Sequence, residues 1–145
     1  MINDAPAMQS ASANYSPVKI AVLAPRWLQE ALSILLFSED SLMLVTNAQT
    51  EDELFAQSLS QIPDIIVIDA DFRLNKALEQ ITRIKTKLQS ANSIMLVDQA
   101  NQDRPLTEAG ADAVILKGSP PSYLLEIIKQ IAEKRWIEIK GKSQP

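Results

Sequence analysis

The sequence predicts an α/β, flavodoxin-like (βα)5 three-layer sandwich, with a parallel five-stranded sheet of order 2-1-3-4-5. Three observations predict it. Short apolar runs alternate along the chain with segments of helical period, the signature of βαβ units with right-handed crossovers. Ile65-Ile66-Val67-Ile68 is an unbroken β-branched run, as expected of a strand buried on both faces. The 145 residues, 46% of them apolar and 22% charged, suit one soluble domain with a real core.

Each element can be justified in turn. Val18 to Leu23 is the first strand, and Pro25 suits the first turn of the helix that follows. Trp27, Leu28, Ala31, Leu32, Leu35 and Leu36 recur at helical spacing and are read as that helix's packing face. Ser38-Glu39-Asp40-Ser41 ends it, and Leu42 to Val45 is the second strand. Thr50-Glu51-Asp52-Glu53 is a capping box that starts a helix carrying Leu54, Phe55 and Leu59. Pro63 closes that helix, and the central strand runs from Asp64 to Ile68. Asn75 to Leu88 is the third helix and Ser93 to Val97 the fourth strand. A polar segment, Asp98 to Arg104, leads to a short helix near Leu106 to Ala109, with Pro105 in its first turn and Gly110 as its stop. Ala113 to Leu116 is the fifth strand, and the last helix runs from Ser122 to about Arg135, its stripe being Leu124, Leu125, Ile128 and Ile131 or Ala132. The expected organisation is a flexible N-terminal tail over 1–17, one domain over 18–135 and a C-terminal tail over 136–145.

Composition removes several function classes. The chain has no cysteine, so disulfides, thiol nucleophiles and cysteine metal sites are excluded. It has no histidine, which excludes a Ser-His-Asp triad, imidazole zinc ligands and histidine general bases. A net charge of −4 argues against a nucleic-acid-binding surface. No apolar run reaches the ~20 residues of a membrane helix, and the start of the chain does not read as a secretory signal. A cytoplasmic protein is the expectation, and any chemistry must come from carboxylates, lysine, arginine, hydroxyls or backbone.

In an open parallel sheet, ligands and chemistry sit at the carboxyl ends of the strands. There the first strand ends on Ala24-Pro25, the third on Asp69-Ala70-Asp71, the fourth on Val97-Asp98 and the fifth on Lys117. In the expected strand order Asp69 and Lys117 approach each other across one crevice.

Two motifs now point to a family. Pro63-Asp64-Ile65-Ile66-Val67-Ile68-Asp69 and Gly110-Ala111-Asp112-Ala113-Val114-Ile115-Leu116-Lys117, followed by Pro121 and Leu124, resemble the receiver domain of two-component response regulators. The resemblance covers about Val18 to Glu133. It implies that Asp69 stands at the phosphoacceptor and Lys117 at the phosphate-contacting lysine. It also implies Mg²⁺ beside Asp69, a histidine kinase as partner and no catalytic residue in the enzymatic sense.

The departures are as informative. The acidic pair that the family places after its first strand, to hold Mg²⁺, is here Ala24-Pro25-Arg26. Asp69 and Asp71 are the remaining metal candidates, and Asp98 is a further donor. The family's hydroxyl after the fourth strand aligns with Val97 and its switch aromatic with Val114, neither of which carries a hydroxyl. The fourth helix is expected to be stunted. The sequence therefore reads as a degenerate, pseudo-receiver-like module acting by protein–protein contact. Its expected docking surface is the face formed by the last two helices and the fifth strand, and a homodimer contact is expected on the last-helix face. Two rivals stand beside it. One is a working single-domain response regulator phosphorylated on Asp69. The other is a small-molecule-binding flavodoxin-like protein, against which stands the lack of a glycine-rich loop, the three glycines being Gly110, Gly118 and Gly141.

Overall fold

The computed structural model describes residues 16–142, so the expected tail at 1–17 lies outside the described residues up to position 15. The elements are β1 (Val18–Leu23), α1 (Arg26–Phe37), β2 (Leu42–Ala48), α2 (Glu51–Ser58), β3 (Ile65–Asp69), α3 (Leu74–Lys87), β4 (Asn92–Val97), α4 (Asp103–Glu108), β5 (Ala113–Leu116) and α5 (Pro121–Lys142). A 3-10 turn, Ala100–Gln102, precedes α4. The five strands form one sheet of order β2-β1-β3-β4-β5, and every pairing is parallel. Among the described residues no helix is long and apolar enough to cross a membrane.

Alternation along the strands divides the core into two layers. In β3, Ile66 and Ile68 face the cluster that includes Leu54 of α2, Ile81 and Ile84 of α3, and Leu106 of α4. Ile65 and Val67 face the opposite cluster, with Leu32 and Leu36 of α1 and Leu124 and Ile128 of α5. These strand residues are at most 1% exposed, which explains why the run carries no polar position.

Two motif aspartates anchor the base of the sheet, at the end opposite the crevice. Asp64 donates its N–H to Lys19 O at 2.8 Å, while its Oδ2 accepts Lys19 N–H at 2.8 Å. Asp112 does the same for Ser93: its N–H donates to Ser93 O at 2.9 Å and its Oδ2 accepts Ser93 N–H at 2.8 Å. Each carboxylate thus satisfies an N–H at a strand start that has no ladder partner there. Gly110, between α4 and Asp112, has φ +122°, a region that favours glycine.

Four expectations need correction. β2 runs on to Ala48, because β1 continues to pair with it through Leu23↔Ala48 after a register shift at Ile20/Ala21. α5 does not end near Arg135 but continues to Lys142, so the segment expected as a tail from 136 is helical through that residue. It contains no proline and no glycine before Gly141, and its Glu, Lys and Ile residues sustain a helix already under way. The α2 capping box forms, with Thr50 Oγ1 accepting Glu53 N–H at 3.1 Å, but Leu59 lies beyond the helix and is 88% exposed. Trp27 does not pack inward; it is 67% exposed.

Candidate functional site

The crevice lies where the topology requires it, at the carboxyl ends of β1, β3, β4 and β5. It encloses about 620 Å³ and is lined by Ala24, Pro25, Thr50, Glu51, Asp69, Asp71, Asp98 and Lys117. Asp69 is the last residue of β3, held in register by Leu96 of β4. Lys117 follows β5 directly, its N–H bonded to Val97 O at 2.8 Å. Both side chains lean over the end of β4, and Lys117 Nζ lies 2.5 Å from Asp69 Oδ1. That oxygen is buried and the approach is off the hydrogen-bond direction, so the contact is first of all an ion pair.

A second carboxylate shares the same ammonium. Asp98 Oδ1 is 3.5 Å from Lys117 Nζ. Burial of the ammonium pulls its pKa down, but the interactions with Asp69, and then with Asp98, outweigh that and hold it above the usual lysine value. Lys117 is thus charged and already faces two negative partners.

Asp71 is committed elsewhere. Its Oδ1 accepts Arg73 N–H at 2.9 Å and Arg73 Nε–H at 3.0 Å, and its Oδ2 accepts Arg73 Nη2–H at 2.9 Å. Hydrogen bonding to the Arg73 side chain and backbone lowers its pKa to about 2. Glu51, at the rim, is paired in the same forked way with Arg83 of α3.

At the end of β1, Ala24 is buried, its N–H bonded to Ala48 O at 2.9 Å. Its carbonyl accepts Gln29 Nε2–H at 2.9 Å, and Pro25 is the N-cap of α1 with no side-chain cap. Neither position offers a side-chain oxygen to a cation. Arg26 does not line the crevice and pairs with Glu30 at 3.8 Å. Mg²⁺ requires several hard oxygen ligands in near-octahedral array. Among the described residues no group of three or more acidic side chains is placed to hold a metal ion. The crevice carboxylates that a hard cation would use are already engaged by cations of the chain, Asp69 and Asp98 by Lys117 and Asp71 by Arg73.

Val97 is 1% exposed and Val114 is half-buried, and both belong to the α2–α3–α4 core layer. One polar tie to that side was not foreseen from the sequence. Gln102 is 4% exposed and donates its Nε2–H to Phe72 O at 3.1 Å, joining the turn before α4 to the loop that follows Asp69. Nothing in local periodicity marks it, because the bond links positions 30 residues apart. The Asp98–Lys117 approach was equally hidden, since it depends on the path of the chain after β4.

No protein-family profile matches the chain. A curated relative, a nitrate/nitrite response regulator protein homologue from Haemophilus influenzae, is 29% identical over 97 residues, 66% of this chain and 47% of that protein. The chain thus matches about half the length of that relative. Among solved structures, a response regulator from Thermotoga maritima superposes with a TM-score of 0.67 at 26% identity, covering 80% of this chain and 97% of that one. A response regulator receiver domain protein from Methanospirillum hungatei superposes with a TM-score of 0.71 at 21% identity, covering 85% and 99%. The structural neighbours are response-regulator receiver domains, and the sheet order 2-1-3-4-5 with five helices is their fold.

Proposed function

We propose that the chain is a receiver-like module of a two-component or phosphorelay system in which a protein partner reads a constitutive surface. A phosphorylation state is not what that partner senses. The observation that supports this is the Asp69–Lys117 ion pair set beside Ala24 and Pro25. An acyl phosphate on Asp69 would have to form without a cation to neutralise the transferring group, and on a carboxylate whose charge is already matched by Lys117. Asp98 occupies the remaining reach of that ammonium. Val97 and Val114 supply no hydroxyl to convey a new charge to the surface. Such a module works by binding rather than by turnover. The surface favoured for a protein partner is the face of α5 and β5, where Leu116, Tyr123 and Ile137 are 41%, 45% and 55% exposed.

A second reading, phosphorylation of Asp69 by a histidine kinase, is favoured by one observation: the Asp69 side chain keeps 20% of its surface exposed to an open polar crevice. Intact mass after incubation with a small phosphodonor, with and without Mg²⁺, on the wild type and on Asp69→Asn separates the two. No mass gain is expected. A Mg²⁺-dependent gain of one phosphoryl group, lost in Asp69→Asn, would establish the second reading instead.

A further inference from the structure

The core layer beneath α1 and α5 holds a cavity that the crevice does not account for. It encloses about 190 Å³ and is less open to solvent than the crevice. Its floor is Leu96 of β4 and Ile115 of β5, which are register partners. Leu32 of α1 and Leu124 of α5 form its sides, and Trp27, 67% exposed, stands at its rim. Protein interiors are close-packed, with few voids larger than a water molecule. Here the packing is interrupted. Leu32, Leu96, Ile115 and Leu124 are 5%, 5%, 4% and 7% exposed, whereas Ile20, Ile65, Ile94 and Ile128 of the same layer are at 0%. The void thus reaches down to the sheet.

The ends of the two helices are pinned around this gap. Lys129 of α5 pairs at 2.9 Å with Glu39, just past the end of α1, so the helices are tied at the far end of α1. At the near end, Ser119 N–H donates to Leu116 O at 3.0 Å and Tyr123 N–H to Pro120 O at 2.9 Å, and Pro120 and Pro121 fix the entry to α5. These bonds also decide the chemistry of an occupant. The Ser119 and Tyr123 amides are used and the two prolines have no N–H, so the mouth offers no row of donors to a peptide backbone. Lys117 is the charged residue of the lining, and it also lines the crevice, where its ammonium is held by Asp69 and Asp98. A buried water needs two to four polar partners. The lining has one hydroxyl, that of Ser119, which has no hydrogen-bond partner among the described residues. An uncharged, mainly apolar occupant with one polar group matches this lining.

We infer that the gap between α1 and α5 is a binding site for a small uncharged ring compound, of about the size and polarity of phenol. Volume sets the size: an apolar cavity of about 150 Å³ accepts one benzene ring, so this one holds a ring with a small substituent. The Ser119 hydroxyl sets the preference for a substituent that can hydrogen-bond. The site is separate from the crevice at the strand ends, with which it shares Lys117 alone.

Methyl NMR of the full chain titrated with phenol tests this. The expected result is a saturable shift of the Leu32, Leu96, Ile115 and Leu124 methyls, with one dissociation constant on the order of 1 mM. The Ala24 and Thr50 methyls, in the crevice, should not move. Ala31→Leu, at an exposed position of α1 that borders the cavity, should weaken phenol by roughly tenfold or more and leave thermal melting no lower. Leu35→Ala widens the same cavity and should admit a naphthol, which the wild type excludes; a gain of binding cannot come from misfolding. Benzoate should bind roughly tenfold more weakly than phenol, because its charge finds no partner there. No saturable shift at millimolar phenol would leave the gap to a partner's side chain and overturn the inference. Phenol binding that Ala31→Leu does not change would also overturn it, as would benzoate binding as tightly as phenol, which would make the site one for anions.

Discussion

Asp69 and Lys117 meet across a strand that belongs to neither of them: β3 and β5 flank β4, and the ion pair closes over its end at 2.5 Å. The side chains are 20% and 29% exposed, so each charge is partly desolvated and depends on the other.

Removing one partner should therefore cost more than removing both. Lys117→Met leaves Asp69 a half-buried, unmatched carboxylate, and a loss of about 1–3 kcal/mol is expected. Asp69→Asn in the same background should restore part of that loss. A urea-denaturation double-mutant cycle measures the coupling, and additive losses in the two single variants would show that the pair contributes nothing to folding.

The same pair sets an alkaline limit on stability. The folded pKa of Lys117 is raised above its unfolded value by Asp69 and Asp98, against the effect of burial. A raised lysine contributes stability that is fully present below its unfolded pKa and is lost as pH rises through the folded pKa. Stability should thus decline above about pH 10.5, the ordinary lysine value, and Asp98→Asn should make that decline smaller and lower the pH at which Lys117 titrates in the folded protein. Nζ chemical shifts of Lys117 followed through the titration check this. An unchanged Lys117 titration in Asp98→Asn would remove Asp98 from the site.

Asp71 runs in the opposite direction. Its pKa of about 2, set by the Arg73 side chain and backbone, lies below the ordinary 3.8. A depressed carboxylate contributes stability that is present above its unfolded pKa and is lost as pH falls through its folded pKa. The relevant window is about pH 4 to 2. In Arg73→Ala the Asp71 side-chain carboxyl should titrate higher than about 2 but still below the ordinary 3.8 in a carbon-detected NMR experiment, because the backbone N–H of residue 73 still donates to it. A value still near 2 would mean that the Arg73 side chain is not what holds it down.

How much of this was legible in the sequence follows from what each residue depends on. β1 and β5 have the ends that were expected, because an apolar β-branched run is a local property and both are bounded by turn residues. The approach of Asp69 to Lys117 was legible through topology alone, since a parallel sheet of this order brings the ends of β3 and β5 to one crevice. The partners of Asp71 and Asp98 were not, because loop geometry decides whether a carboxylate turns toward the crevice or toward Arg73. The exposure of Trp27 was hidden because helical spacing groups it with Leu28 and Ala31, and the wheel alone does not say which edge of the stripe the sheet covers. The length of α5 was hidden because nothing stops the helix after Arg135 and no core contact is needed to continue it.

Arg135 explains where α5 is tied. Its guanidinium donates to Ser90 O at 2.8 Å, to Asn92 Oδ1 at 2.8 Å and to Asp64 Oδ1 at 3.1 Å, so one side chain joins the helix to the starts of β3 and β4. The Asp64 that it holds is the one that organises the Lys19 end of β1, so the three bonds stabilise the base of the sheet as well as the helix. A planar fork suits this site, because the acceptors are shared between two separate nitrogens, Nη1 and Nη2, and the single Nζ of a lysine cannot occupy both positions. Arg135→Lys should therefore lose most of what Arg135→Ala loses, about 2 kcal/mol. Amide hydrogen exchange should rise in the final turns of α5 and at Lys19, while the Asp69 end of the sheet keeps its protection. Full retention of stability in Arg135→Lys would mean that charge at this position, rather than the forked geometry, ties α5 to the sheet.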